Sequence, residues 1–174
     1  MANIKVISAD SHMTEPGDLW VERLDRKYRD NAPRVIKNEK PSGAPYIFVG
    51  PGMHPLTVAG VFAAGRSGEE LREHMKHGYE AARPSGWDPV ERLKDQDLDG
   101  VIAEVLYSSL GIVIFGMKDV ELQQACLRVY NDWLAEFCSH APNRLLGIGL
   151  YKILTREVNR YKKVLQYLAQ HGFH

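Results

Sequence analysis

At 174 residues the chain has the size of one domain and is long enough to bury a core of its own. Hydrophobic residues make up 44% and charged residues 25%, ordinary globular usage that argues against disordered, collagen-like and disulfide-dense classes. Lysine plus arginine number 22, as do aspartate plus glutamate, so no net field draws the chain to nucleic acid or to an anionic membrane.

The two cysteines, Cys126 and Cys138, fall within one predicted helix. Their separation along it is roughly 18 Å, far beyond disulfide reach. No run approaches the roughly 20 apolar residues of a membrane span, and the opening stretch lacks the apolar segment of a secretory signal. A cytoplasmic, reducing location is therefore expected.

In chain order, Ile4 to Ala9 is short, apolar and β-branched, and reads as a buried strand emptying into the polar cluster Asp10, Ser11, His12. Glu15 to Asn31 predicts a short helix after Pro16 and Gly17, closed by Pro33. Residues 34–86 read as an excursion from the core, with a strand at Tyr46 to Val49, a turn at Gly50-Pro51-Gly52 and a helix over Glu69 to Ala82. Asp88, Pro89 and Glu91 then form a helix start, with aspartate as cap, proline at the first helical position and glutamate able to reach back.

That helix ends near Gly100, and Val101 to Tyr107 follows as an apolar strand of the kind covered on both faces. Asp119 caps a long helix whose stripe Leu122, Cys126, Val129, Trp133 and Phe137 marks a buried side. Leu145 to Leu150 predicts a third strand, and Thr155 caps a last helix ending at Gly172. Strands alternating with helices are the pattern of a parallel α/β fold. A closed eightfold barrel typically takes about 250 residues, so three core strands here amount to part of one.

Asp10 and His12 stand two apart at a strand end, so their side chains leave on one face while Ser11 leaves on the other. An oxygen and a nitrogen so placed can serve one cation, although the same three residues also describe an ordinary turn. Tyr107, Ser108 and Ser109 lie at the C-terminal end of the second strand, the functional rim of a parallel barrel, where a polar turn fits equally. Trp20, after the first loop, is a candidate pocket wall; Trp133 fits the core stripe. Glu104 interrupts an apolar strand and needs a partner, for which a barrel arginine or lysine is favoured over the site. His74 and His77 share a helical face among Glu70, Glu73 and Lys76, which reads as solvated, and His171 and His174 read as frayed surface residues. No phosphate loop, dinucleotide fingerprint, Cys-x-x-Cys or Ser-His-Asp arrangement is present.

Several blocks together carry a resemblance. Ile7-Ser8-Ala9-Asp10-Ser11-His12 with Glu15-Pro16 and Asp18-Leu19-Trp20 comes first. Gly86-Trp87-Asp88-Pro89, Arg92-Leu93, Asp97, Asp99-Gly100-Val101 and Glu104 to Tyr107 follow, and then Tyr130 to Leu134 with Pro142, Arg144-Leu145 and Gly147-Ile148. Spread over residues 4–150, they resemble the amidohydrolase-related family, which includes aminocarboxymuconate-semialdehyde decarboxylase and related metal-dependent hydrolases. The resemblance implies a TIM-type (β/α)8 barrel with a divalent metal, zinc or else manganese, at the C-terminal ends of the strands. It places the first metal ligands at Asp10 and His12 and names no catalytic base here. Trp20, Tyr107 and Ser108 are the substrate-binding candidates.

The family's remaining ligands, a histidine from a later strand and an aspartate near the last one, match no residue of this chain. Residues 1–174 accordingly read as the N-terminal part of one barrel domain, incomplete after about three strands. Two functions compete. One is a metal-dependent hydrolase or non-oxidative decarboxylase acting on a small carboxylate or amide. The other is an inactive half-barrel that works only through association. Unpaired strand edges predict a homo-oligomer under either.

Overall fold

The computed structural model describes residues 5–39 and 44–151. Its central layer is an open sheet of three parallel strands in the order β1 (Val6–His12), β5 (Val101–Tyr107), β6 (Leu145–Gly147). Between β1 and β5 the chain forms α1 (Leu19–Arg23), an antiparallel sheet of β2 (Arg34–Lys37), β3 (Tyr46–Val49) and β4 (Leu56–Thr57), and the helices α2 (Val58–Val61), α3 (Gly68–His74) and α4 (Pro89–Asp99). The long helix α5 (Val120–Ser139) connects β5 to β6. The parallel α/β reading holds for these segments; the described strands form an open sheet and do not close a barrel.

The capped helices follow their sequence signals closely. Asp88 accepts from the Val90 and Glu91 amides at 2.8 and 3.2 Å, and Asp119 does the same for Glu121 and Leu122 at 3.0 and 3.1 Å. Each carboxylate thus satisfies donors that a helix start leaves orphaned. The Glu91 side chain departs from the expected reciprocal cap and pairs with Lys94 instead. Gly100 ends α4 at φ 68°, a left-handed conformation that glycine adopts without a Cβ penalty. All five stripe residues of α5, Leu122, Cys126, Val129, Trp133 and Phe137, are buried.

Other expectations need correction. β1 runs on through His12, so Asp10 and His12 sit in the strand itself, whereas β6 is shorter than expected and stops at Gly147. The helix expected over 15–31 is only α1 followed by a 3-10 segment at Arg26–Asn31; that over 69–82 is α3 followed by a 3-10 turn at Tyr79–Ala81. Charge alternation mimicked helical periodicity there while few apolar residues were available to hold longer helices.

The excursion at 34–86 is also more than a peripheral insert. Phe48, Val58 and Ala59 are buried, and the Phe48 ring packs 5.1 Å from that of Trp20 in the core shared with α5. Nor, among the described residues, is β5 covered on both faces, since Ile102 and Tyr107 are exposed. The helix expected from Thr155 lies outside the described residues.

Candidate functional site

The C-terminal end of β1 is shaped by an irregularity in its pairing. Ser8 registers with Glu104 and Ser11 with Leu106, so three steps along β1 match two along β5. The extra residue is a bulge, and it places Ser8 and Ser11 on one side of the sheet with their hydroxyl oxygens 2.7 Å apart. Ser11 donates to Glu104 at 3.0 Å. Asp10 and His12 turn the other way, with Asp10 Oδ1 and His12 Nε2 3.7 Å apart. Both are open to solvent, their side chains 85% and 57% exposed.

Tyr107 registers with His12 across the strand pair, and the two rings lie 5.9 Å apart. Of the expected substrate-binding residues, Tyr107 is therefore the one brought to the Asp10–His12 pair. Ser108 is buried and its hydroxyl donates to Glu15 at 2.5 Å. Trp20 is fully buried, its indole N–H donating to the Cys126 carbonyl at 3.0 Å. It anchors α1 to α5 and has no free surface to offer a ligand.

The expected partnership of Glu104 is with an arginine. On the helix side of the sheet, Arg92 reaches it through Nε at 2.6 Å and Nη2 at 3.2 Å, and Gln96 donates at 2.7 Å. Burial alone would raise this carboxyl, but Arg92, Gln96 and Ser11 outweigh it and hold Glu104 below the usual carboxylate range. Arg92 also donates to the His12 carbonyl at 3.0 Å. The same guanidinium thus braces the backbone of a predicted metal ligand.

Glu15 entered the sequence reading only as part of the resemblance, without a role. It is fully buried, accepting from Ser108 and from the Leu110 and Gly111 amides at 2.8 and 3.0 Å, while its own carbonyl accepts from the Tyr79 hydroxyl at 2.5 Å. The carboxylate ties the loop after β1 to the loop after β5. Burial pushes its pKa up against those hydrogen bonds. Gly111 must lack a side chain here, because a Cβ would come within 2.7 Å of Ser108 Oγ and 3.1 Å of Glu15 Oε1. The available signal was an acidic residue beside Pro16 immediately past the strand, which by itself does not distinguish a buried clamp from a turn.

His74 and His77 do not chelate. His74 is buried, its Nε2 3.0 Å from the Ala59 carbonyl and its ring edge-on to Phe62, so the solvated face expected for it is incorrect. His77 stays half-exposed between Glu73 and Glu80. Cys126 is core, its thiol pushed up to about 12 by burial. His171 and His174 lie outside the described residues, and among those described no group of three or more His, Cys, Asp or Glu side chains is placed to hold a metal ion.

A cleft of about 280 Å³ opens beside His12, lined also by Thr14, Phe62 and three arginines. A larger one of about 630 Å³ lies between Pro16, Val35, Tyr46 and Trp87. Tyr79 lines the larger cleft and Phe62 the smaller, with their rings 6.0 Å apart. No helix among the described residues is long and apolar enough to cross a membrane.

The backbone has a counterpart of known structure. It superimposes on a crystal structure of an amidohydrolase from Mycobacterium avium subsp. paratuberculosis K-10 with a TM-score of 0.63 at 19% identity, over 95% of this chain. The fold is amidohydrolase-like. The chain spans 47% of the length of that protein. No family model matches the sequence, and no curated protein does.

Proposed function

We infer that the chain carries the first metal ligands of a hydrolase or non-oxidative decarboxylase of the amidohydrolase-related family, acting on a small carboxylate or amide. The observation that carries this reading is the Asp10–His12 pair, 3.7 Å apart at the C-terminal end of a parallel strand. An aspartate oxygen and an imidazole nitrogen suit zinc, and manganese less selectively. Asp10 and His12 would hold the ion, which when bound would polarise a substrate carbonyl, a carboxylate or a water molecule. Around them, Arg92 fixes the His12 backbone and Tyr107 flanks the imidazole. Two protein donors leave most of an ion's coordination to other groups, so weak binding and negligible turnover are expected from these two alone.

The inner face of the parallel sheet favours a second reading. Ile7, Tyr107, Leu146 and Ile148 are exposed, a surface suited to association without catalysis. Metal analysis distinguishes the two. Zinc competition titrations should show binding by the wild-type chain, weakened by about tenfold or more in Asp10→Asn and His12→Ala, since even outer-shell partners are worth about 10–100-fold. Stoichiometric metal with turnover lost in His12→Ala would mean that further ligands are supplied elsewhere. Equal, negligible zinc affinity in all three proteins would leave the association reading standing.

A further inference from the structure

The larger cleft, of about 630 Å³, is separate from the Asp10–His12 pair, neither of which lines it, and its volume falls within the roughly 300–1,000 Å³ of sites for small organic ligands. Its walls are aromatic. Trp87 and Tyr79 meet edge-on there, with ring centroids 5.4 Å apart and planes at 72°, and form a corner of two π-systems. Tyr46 adds a third ring, close against the turn that carries Tyr79: a Cβ at Gly78 would come within 3.1 Å of it. The Trp87 indole N–H meets no acceptor among the described residues.

The charged side chains that line this cleft, Asp18, Arg34, Lys37 and Glu80, are engaged to different degrees. Arg34 commits its donors to backbone, Nε to the Ala32 carbonyl at 3.1 Å and Nη2 to the Arg29 and Asp30 carbonyls at 2.8 and 3.1 Å. Glu80 faces His77 at 3.8 Å. Asp18, by contrast, starts α1 without a side-chain cap hydrogen bond, and its carboxylate has no ion pair among the described residues. Its charge is felt at the aromatic corner, because the Tyr79 hydroxyl is pushed up first by burial and then by the negative charges of Glu15 and Asp18. Lys37, the last residue of β2, is exposed and is not among the charges that act on Tyr79.

We propose that this cleft binds an organic cation, an ammonium group carried on an aromatic body, with Trp87 and Tyr79 as its π-walls and Asp18 as its counter-charge. Indole and phenol rings attract a cation through the negative face of the ring quadrupole, most strongly where water is excluded. An ammonium there gives Asp18 the ion pair it lacks, whereas an anion meets the negative field at Tyr79 and a neutral ligand gains from the apolar walls alone. Pro16, Val21 and Val35 supply apolar surface for the body of the ligand.

The test is a titration of the metal-free full chain, followed by heteronuclear NMR, with 2-phenylethylammonium as probe and 2-phenylethanol and 3-phenylpropionate as neutral and anionic comparators. The ammonium is expected to shift the Trp87 Nε1–H signal and the backbone amides of Gly17 and Asp18. Asp18→Asn should weaken it by about fivefold, the upper range for an ion pair near the surface, and both comparators should bind the wild-type chain more weakly by a similar factor. The same substitution should leave 2-phenylethanol unchanged, and it removes no cap hydrogen bond from α1. Lys37→Gln should bind the ammonium no more weakly than the wild type does. The Trp87 signal is read in the wild-type chain and depends on no variant; if it stays still, the proposal is wrong. Equal binding of 2-phenylethanol would reduce the cleft to an apolar groove, tighter binding of 3-phenylpropionate would assign it to Lys37, and a folded Asp18→Asn with unchanged ammonium affinity would remove the counter-charge; each overturns the proposal. Zinc affinity at Asp10 and His12 is measured separately, so either site can fail while the other stands.

Discussion

Glu104 and Glu15 are two carboxylates in one small domain with opposite electrostatic surroundings. Glu104 is held below its ordinary value of 4.5, so its contribution to stability is complete above that value and is lost as the pH falls through the lower folded one. Glu15 is raised from the same 4.5 by burial, so its contribution is complete below 4.5 and is lost as the pH climbs through its folded value. The thermal midpoint of the wild-type chain should therefore drop on acidification below about pH 5, and Glu104→Gln should be less stable near neutrality yet flatter in acid. Parallel acid profiles for the two proteins would refute the role given to the Arg92–Glu104 pair. The need for a partner at Glu104 was legible in the sequence, because a carboxylate inside an apolar strand is costly. That the partner would be Arg92, a turn into the preceding helix, depended on how α4 lies on the sheet.

At the scale of elements, local chemistry and tertiary packing divide the chain unevenly. α4 and α5 have side-chain caps, α5 also has a buried apolar stripe, and their starts fall where the sequence put them. The cap of α4 should be worth about 1 kcal/mol, the usual cost of replacing a capping aspartate by alanine. Chemical denaturation of Asp88→Ala should show a loss of that size with an unchanged denaturant slope. A loss near zero would mean that packing on β5 alone positions this helix. α1 and α3 have no side-chain cap hydrogen bond and are short, and there the sequence overestimated helical length. Trp20 was misread for a related reason: its place after the predicted metal loop suggested a pocket wall, whereas α1 turns it inward onto Phe48 and the Cys126 carbonyl.

At the scale of the whole molecule, the decisive feature is the parallel sheet: among the described residues β1 is its edge strand, and the face bearing Ile7, Tyr107 and Leu146 is exposed. Edges and apolar faces of this kind promote pairing with further chain. Sedimentation velocity should show concentration-dependent association of the 174-residue chain, reduced in Leu146→Lys. A sharp monomer boundary at all concentrations would contradict it.

The sequence by itself determined the parallel strand–helix alternation, the two capped helices and the pairing of Asp10 with His12 on one face, because each follows from contacts within a few residues. Only the tertiary structure decided the bulge that aligns Ser8 with Ser11, the burial of Glu15 and Trp20, and the gathering of Arg66, Arg83 and Arg92 around His12. The bulge is set by pairing with β5, and Glu15 and Trp20 meet partners 93 and 106 positions away, so no local periodicity encodes which distant segment will supply the neighbour. Their positions follow from how β5, the loop after it, α5 and the excursion pack against β1 and α1, a long-range outcome set by which apolar surfaces exclude water together.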